Sequence, residues 1–214
     1  MSRALPWLLA STVVVAGASC ALGESVTTEH GFRSRFLSQA RDLVVFLPPG
    51  HDRDPSRRYP VLYMHDGQSV FTATPPGALA TKWRMDETAA RLIAAGRIEP
   101  LIIVGIPNRP EDRTDELTPT RRLPEGEGGK GDLYGRMLVE EIKPFIDSRY
   151  RTRPGPADTG LCGASLGGLI TLHLGLKYPA IFGKLCVMSP TISWDRWVVL
   201  REVEALPAPR PLRI

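Results

Sequence analysis

The pentapeptide Gly163-Ala164-Ser165-Leu166-Gly167 constrains this chain more than any other stretch. It follows the apolar run 159–162 and leads straight into the apolar segment 168–175. A G-x-S-x-G between a strand and a helix is a nucleophile elbow, a turn so tight that its serine takes strained dihedrals. Gly163 and Gly167 fit that turn because side chains two residues before and after the serine would clash there. Ser165 then stands clear at the top of a sheet, beside the unpaired amides of a helix N-terminus. An ordinary Gly/Ser turn is the alternative, and the flanking strand and helix patterns favour the elbow.

The rest of the chain supplies the scaffold such a turn needs. Strands are predicted at 26–38, at 42–47 before Pro48-Pro49-Gly50, at 60–64 running into His65-Asp66-Gly67-Gln68, and at 101–105, 159–162 and 184–188. A further strand is expected to open at 211–214. Helical spacing predicts 85–95, with Met85, Ala89, Leu92 and Ile93 on one face and Gly96 as the stop. A second helix is predicted at 132–150, its apolar face Leu133, Met137, Leu138, Ile142, Phe145 and Ile146, with Pro144 kinking it or starting a new turn. A third covers 195–205 with Asp195 as N-cap. Residues 108–131 read as a long, charged, Pro- and Gly-rich loop, functional or mobile. Buried strands alternating with helices predict an α/β fold, a mostly parallel sheet with helices on both faces. No repeat or linker divides it, so residues 22–214 form one domain, expected to be cut off during its last strands.

The chain begins differently. Arg3, a short apolar stretch and Ala16-Gly17-Ala18 describe a secretory signal peptide over 1–21, which places the protein in the bacterial periplasm or outside the cell. The stretch is too short for a transmembrane span. Cys20 raises the option of a lipid anchor, which glycine at position 17 argues against. Cys162 and Cys186 fall in apolar strands; an oxidising compartment would permit a bridge between them, but neighbouring parallel strands rarely offer disulfide geometry, so two buried thiols are expected. The formal charge of +4 is scattered among acids, without the aromatic-interleaved basic patch of a nucleic-acid binder. Four histidines without ligand spacing give no metal site, and no cofactor is implied.

The motifs Tyr59-Pro60-Val61-Leu62-Tyr63-Met64-His65-Asp66-Gly67-Gln68, Gly129-Lys130-Gly131-Asp132-Leu133-Tyr134, Glu140-Glu141-Ile142-Lys143-Pro144-Phe145-Ile146-Asp147, Cys162-Gly163-Ala164-Ser165-Leu166-Gly167-Gly168 and Met188-Ser189-Pro190 occur in that order. Together they resemble the putative-esterase family related to enterochelin esterase and esterase D, over residues 26–214. The resemblance implies an α/β-hydrolase fold, a Ser-His-Asp mechanism and small-molecule ester substrates. It makes Ser165 the nucleophile, with oxyanion donors at the amide of Leu166 and in the loop at Gln68; such a donor is worth roughly 3 kcal/mol. His65 and Asp66, at the same strand end, are candidate site-lining residues.

The fold's order of Ser, acid and His is not completed within these 214 residues. His173 lies two turns down the helix after Ser165, too far to reach the hydroxyl. His30 and His51 are expected at the surface. The resemblance places the acid after a strand starting near Leu212, and the histidine later still. Two readings follow: an exported serine esterase, weak or inactive as this shortened chain, or a non-catalytic remnant or binding module that keeps the fold. Trp83, Trp194 and Trp197 are candidates to line an aromatic-accepting cleft or to fill the core.

Overall fold

The computed structural model describes residues 25–72 and 82–206. The leader expected at 1–21, Cys20 and the strand expected at 211–214 lie outside the described residues.

Eight strands and six helices follow in chain order among the described residues: β1 Ser25–Phe32, β2 Arg41–Leu47, β3 Val61–His65, α1 Met85–Ala94, β4 Ile102–Ile106, α2 Pro110–Glu116, β5 Arg121–Arg122, β6 Glu127–Gly128, α3 Gly131–Arg136, α4 Lys143–Arg149, β7 Thr159–Ser165, α5 Leu166–Lys177, β8 Lys184–Pro190 and α6 Trp194–Glu204. Six of the strands form one sheet in the order β1-β2-β4-β3-β7-β8. β1 and β2 form an antiparallel edge, β2 meets β4 antiparallel, and the pairs β4/β3, β3/β7 and β7/β8 are parallel. This is the mixed, mostly parallel α/β sheet the sequence predicts.

The period-2 alternation of strand side chains divides the core in two. Leu43 and Val45 of β2, Tyr63 of β3, Val104 of β4 and Leu161 of β7 face Tyr134, Met137, Ile142, Ile146, Ile170 and Leu174 from the α3–α4 helix and α5. Val44, Phe46, Met64, Ile103 and Cys162, one residue out of phase, face Ala89 of α1 with Val70 and Phe71. Leu133, expected on the apolar helix face, is instead exposed. Tyr134, its neighbour, takes the core position.

The 132–150 helix is continuous but changes winding. Residues Met137–Ile142 form a π-helical stretch, and the Lys143 amide bonds to the Leu138 carbonyl, five residues back. Pro144 has no amide with which to satisfy the carbonyl four residues before it. Widening the preceding turn shifts the hydrogen-bond register there without breaking the rod.

Three further expectations are corrected. Residues 108–131 are not an unstructured loop: they contain α2 and the β5–β6 ribbon. Asp195 does not cap the last helix; Ser193 occupies that position without a side-chain capping bond, and Asp195, Arg196 and Trp197 have φ of 41°, 52° and 64°. Cys162 is buried as expected, but Cys186 is exposed, because β8 is the edge strand of the described sheet.

Candidate active site

Three parallel strands deliver their C-terminal ends to one place, as open α/β sheets do. β3 ends in His65-Asp66, β4 continues into Pro107-Asn108, and β7 ends at Ser165. Between them lies a cavity of about 360 Å³, whose walls include Asp66, Gln68, Trp83, Asn108, Arg113 and Ser165.

Ser165 is exposed and has φ 58°, ψ −119°, a conformation costly for any residue with a Cβ. The neighbours show why the turn requires glycine. A Cβ on Gly163 would lie 2.5 Å from both the carbonyl carbon and the oxygen of Gly167, so the chain crosses itself at contact distance. A Cβ on Gly167 would meet the Asp66 carboxylate at 3.3 Å. The Ser165 hydroxyl lies 3.1 Å from the Thr191 hydroxyl, and the Thr191 amide donates to the Ser165 carbonyl at 3.0 Å. The segment after β8 thus anchors the elbow from one side.

Leu166 is the first residue of α5, so its amide is among those with no carbonyl a turn earlier. Across the cavity, Gln68 is the middle residue of the single 3₁₀ turn Gly67–Ser69. Gly67 is obligatory there, since a Cβ would stand 2.5 Å from the backbone of Gly105 and Ile106. The Gln68 side chain turns to Asn108: Nε2 donates to Asn108 Oδ1 at 3.1 Å, and the Asn108 amide donates to Gln68 Oε1 at 3.2 Å. Lys82 Nζ donates to the Gln68 carbonyl at 3.0 Å.

Asp66 holds this loop in place from a left-handed backbone, φ 57°. Its buried carboxylate accepts Arg113 Nε at 2.7 Å, a second Arg113 nitrogen at 2.9 Å, and Asn108 Nδ2 at 2.9 Å. Burial works against the charge, but Arg113 and Asn108 outweigh it and hold the carboxyl below its ordinary value. The charge of the cavity wall is therefore fixed as an ion pair near neutral pH.

His65 does not line the cavity as the sequence reading proposed. It is fully buried beneath the elbow, with Nδ1 2.8 Å from the Tyr134 hydroxyl and Nε2 without a hydrogen-bond partner among the described residues. Burial pushes its pKa down to about 4, so it is neutral near pH 7. His173 bridges helices, with Nδ1 2.8 Å from Glu202 and Nε2 3.0 Å from Asp132. His30 pairs with Asp42 and His51 with Asp52. No histidine among the described residues is bonded to Ser165.

Sequence reading missed Asn108, Arg113 and Thr191. The first two lay in the stretch read as loop, where a strand-end aspartate needing a cation was the available signal. Thr191 directly follows Met188-Ser189-Pro190. Of the three tryptophans, Trp83 lines the cavity, Trp194 is buried with its indole donating to Thr120, and Trp197 is exposed. No group of three or more His, Cys, Asp or Glu among the described residues is placed to hold a metal ion, and no described helix is long and apolar enough to cross a membrane.

Comparison with known proteins bears on this geometry. The family model described as "Putative esterase" matches residues 34–206. A Bacillus subtilis protein, YbbA, is 31% identical over 170 residues, covering 77% of this chain and 62% of its own. The siderophore triacetylfusarinine C esterase of Aspergillus fumigatus is 30% identical over 152 residues, covering 68% of this chain and 49% of its own. An IroE-like serine hydrolase from Shewanella oneidensis superposes with a TM-score of 0.69 at 24% identity, over 85% of this chain and 55% of that one, a likeness of fold. The chain thus spans about half to three fifths of the length of these curated relatives.

Proposed function

Since the chain belongs to the Putative esterase family, we propose that it is an exported serine hydrolase cleaving small carboxylic esters through an acyl-Ser165 intermediate. The observation that carries this reading is the strained Ser165 at the edge of a cavity shared with Gln68. In this reading the Ser165 oxygen attacks the ester carbonyl carbon. The amides of Leu166 and Gln68 receive the oxyanion as the C–O bond to the alcohol breaks. The alcohol departs with the proton that serine gave up, and water then cleaves the acyl-serine to free acid and serine. Two preorganised amides facing the developing charge supply most of what such a site contributes. The name of the Aspergillus relative supports siderophore-type esters as the substrate class. Trp83 and Arg113 in the cavity wall suit an acyl group with an aromatic or polar end. The leader at 1–21 supports export.

A serine hydroxyl needs a neighbouring base to be a competent nucleophile. Among the described residues the Ser165 hydroxyl's partner is Thr191, and a second reading is a scaffold that binds esters while turning them over slowly or not at all. A fluorophosphonate should attach at Ser165 and not to Ser165→Ala; labelling unchanged in that variant would assign the nucleophile elsewhere. Hydrolysis of p-nitrophenyl acetate separates the two readings. A rate lost in Ser165→Ala supports catalysis by this chain, and ester binding with no Ser165-dependent rate supports the binding module.

A further inference from the structure

The two thiols of the sheet form a unit that ester chemistry does not use. Cys162 of β7 and Cys186 of β8 are directly opposed in the parallel register. Facing residues on neighbouring strands put their side chains on the same side of the sheet, and strands lie about 4.8 Å apart. That spacing falls inside the Cα separation a disulfide spans, roughly 4.4–6.8 Å. Both are free thiols, Cys162 buried and Cys186 exposed.

We propose that Cys162 and Cys186 are an oxidisable dithiol, a modification site at which a disulfide oxidant fastens β7 to β8 three residues below the elbow serine. The exposed sulfur is the entry point and the buried one the resolving thiol. The Cys186 thiolate attacks one sulfur of the oxidant, forming a mixed disulfide and releasing the first thiolate. Cys162 loses its proton and attacks the Cys186 sulfur, closing the intramolecular bond and releasing the second leaving group. The two cysteine thiols are oxidised by two electrons, and the oxidant is reduced to two thiols that carry the two protons. The geometry favours this division of labour. The facing Cys162 sulfur draws the Cys186 thiol down to about 7, against the opposing effect of burial. The same contact, with burial, pushes Cys162 up. Exposed Lys184 stands two residues before Cys186, on the same face of β8 by strand periodicity. A bond exposed on one side and closed between adjacent strands belongs to the labile, reversible class rather than the structural one.

The test uses the folded 214-residue chain with Cys20→Ser, so that only this pair remains. The protein is incubated with oxidised glutathione, alkylated with iodoacetamide and digested. Joint loss of both alkylatable thiols, with recovery of a peptide linking 162 to 186, is expected; dithiothreitol should reverse it. A persistent glutathione adduct on Cys186 with Cys162 still alkylatable would overturn the proposal, as would no reaction at either cysteine. A second measurement follows the pH profile of Cys186 alkylation in Cys162→Ala. Its midpoint should rise, and the rate at pH 7 should fall about threefold, the smaller thiolate fraction being partly offset by higher intrinsic nucleophilicity. An unchanged profile would show that the two sulfurs do not communicate.

Discussion

The cavity wall depends on α2, which is tied to the sheet by the Arg113–Asp66 pair and by a second pair, Arg41–Glu116, that is buried on both sides. Arg41 opens β2 and Glu116 closes α2. Their side chains are 6% and 4% exposed and meet in a two-pronged contact, one guanidinium nitrogen 2.8 Å from Oε1 and the other 3.0 Å from Oε2. One of those nitrogens also donates to the Pro107 carbonyl at 3.2 Å. Glu116→Leu leaves a guanidinium buried without its counter-charge, and Arg41→Met does the same to the carboxylate. Each is expected to destabilise the fold by about 3–5 kcal/mol, since an uncompensated buried charge is heavily penalised. The double variant should recover most of that loss, because two apolar side chains of similar size need no counter-charge. Urea unfolding of the four proteins is the assay. With a slope of about 1–3 kcal/mol per molar, each single change lowers the midpoint by at least about 1 M, and the double change by much less. Single effects below about 1 kcal/mol, or a double variant as unstable as the sum of the singles, would refute the reasoning.

Other perturbations read other parts of the structure. Gly163→Ala puts a methyl 2.5 Å from the Gly167 backbone, which has no flexible side chain to yield. It should destabilise by about 1–3 kcal/mol and abolish fluorophosphonate labelling of Ser165; a variant that labels normally would show the turn to be looser than described. His65 is depressed by burial from 6.5 to about 4, so the neutral ring's contribution is intact above pH 6.5 and is lost as pH falls toward 4. That loss amounts to roughly 3 kcal/mol at most, and the acid limb of a urea-midpoint series should flatten in His65→Gln. For His173, burial opposes the charge, but Glu202 and Asp132 outweigh it and raise its pKa above the ordinary 6.5. Its contribution is therefore full below pH 6.5 and fades as pH rises through the raised value. His173→Gln should remove that alkaline decline, and an identical slope in both proteins would count against the bridge.

Local patterns in the chain were enough to place the scaffold strands and the sharp turn at Ser165. The apolar runs at 42–47, 60–64 and 101–105 became core strands, and 184–188 the edge strand beside β7, because strand periodicity is written in consecutive residues. Ser165 became the elbow because the glycines two residues before and after it let the backbone at 163 and 167 approach to contact distance. What the sequence could not reveal depends on contacts between distant positions. Arg113 meets Asp66 across 47 residues, Glu116 meets Arg41 across 75, and Thr191 reaches Ser165 across 26. A charged stretch such as 108–131 reads as loop because its helix is held by ion pairs to other elements rather than by an apolar stripe of its own. His65 looked like a site residue from its place at a strand end, yet strand alternation turned it into the core against Tyr134. A bridge between Cys162 and Cys186 was conceivable from the sequence, but that the two face each other directly needed the register of strands whose facing residues lie 24 apart in the chain.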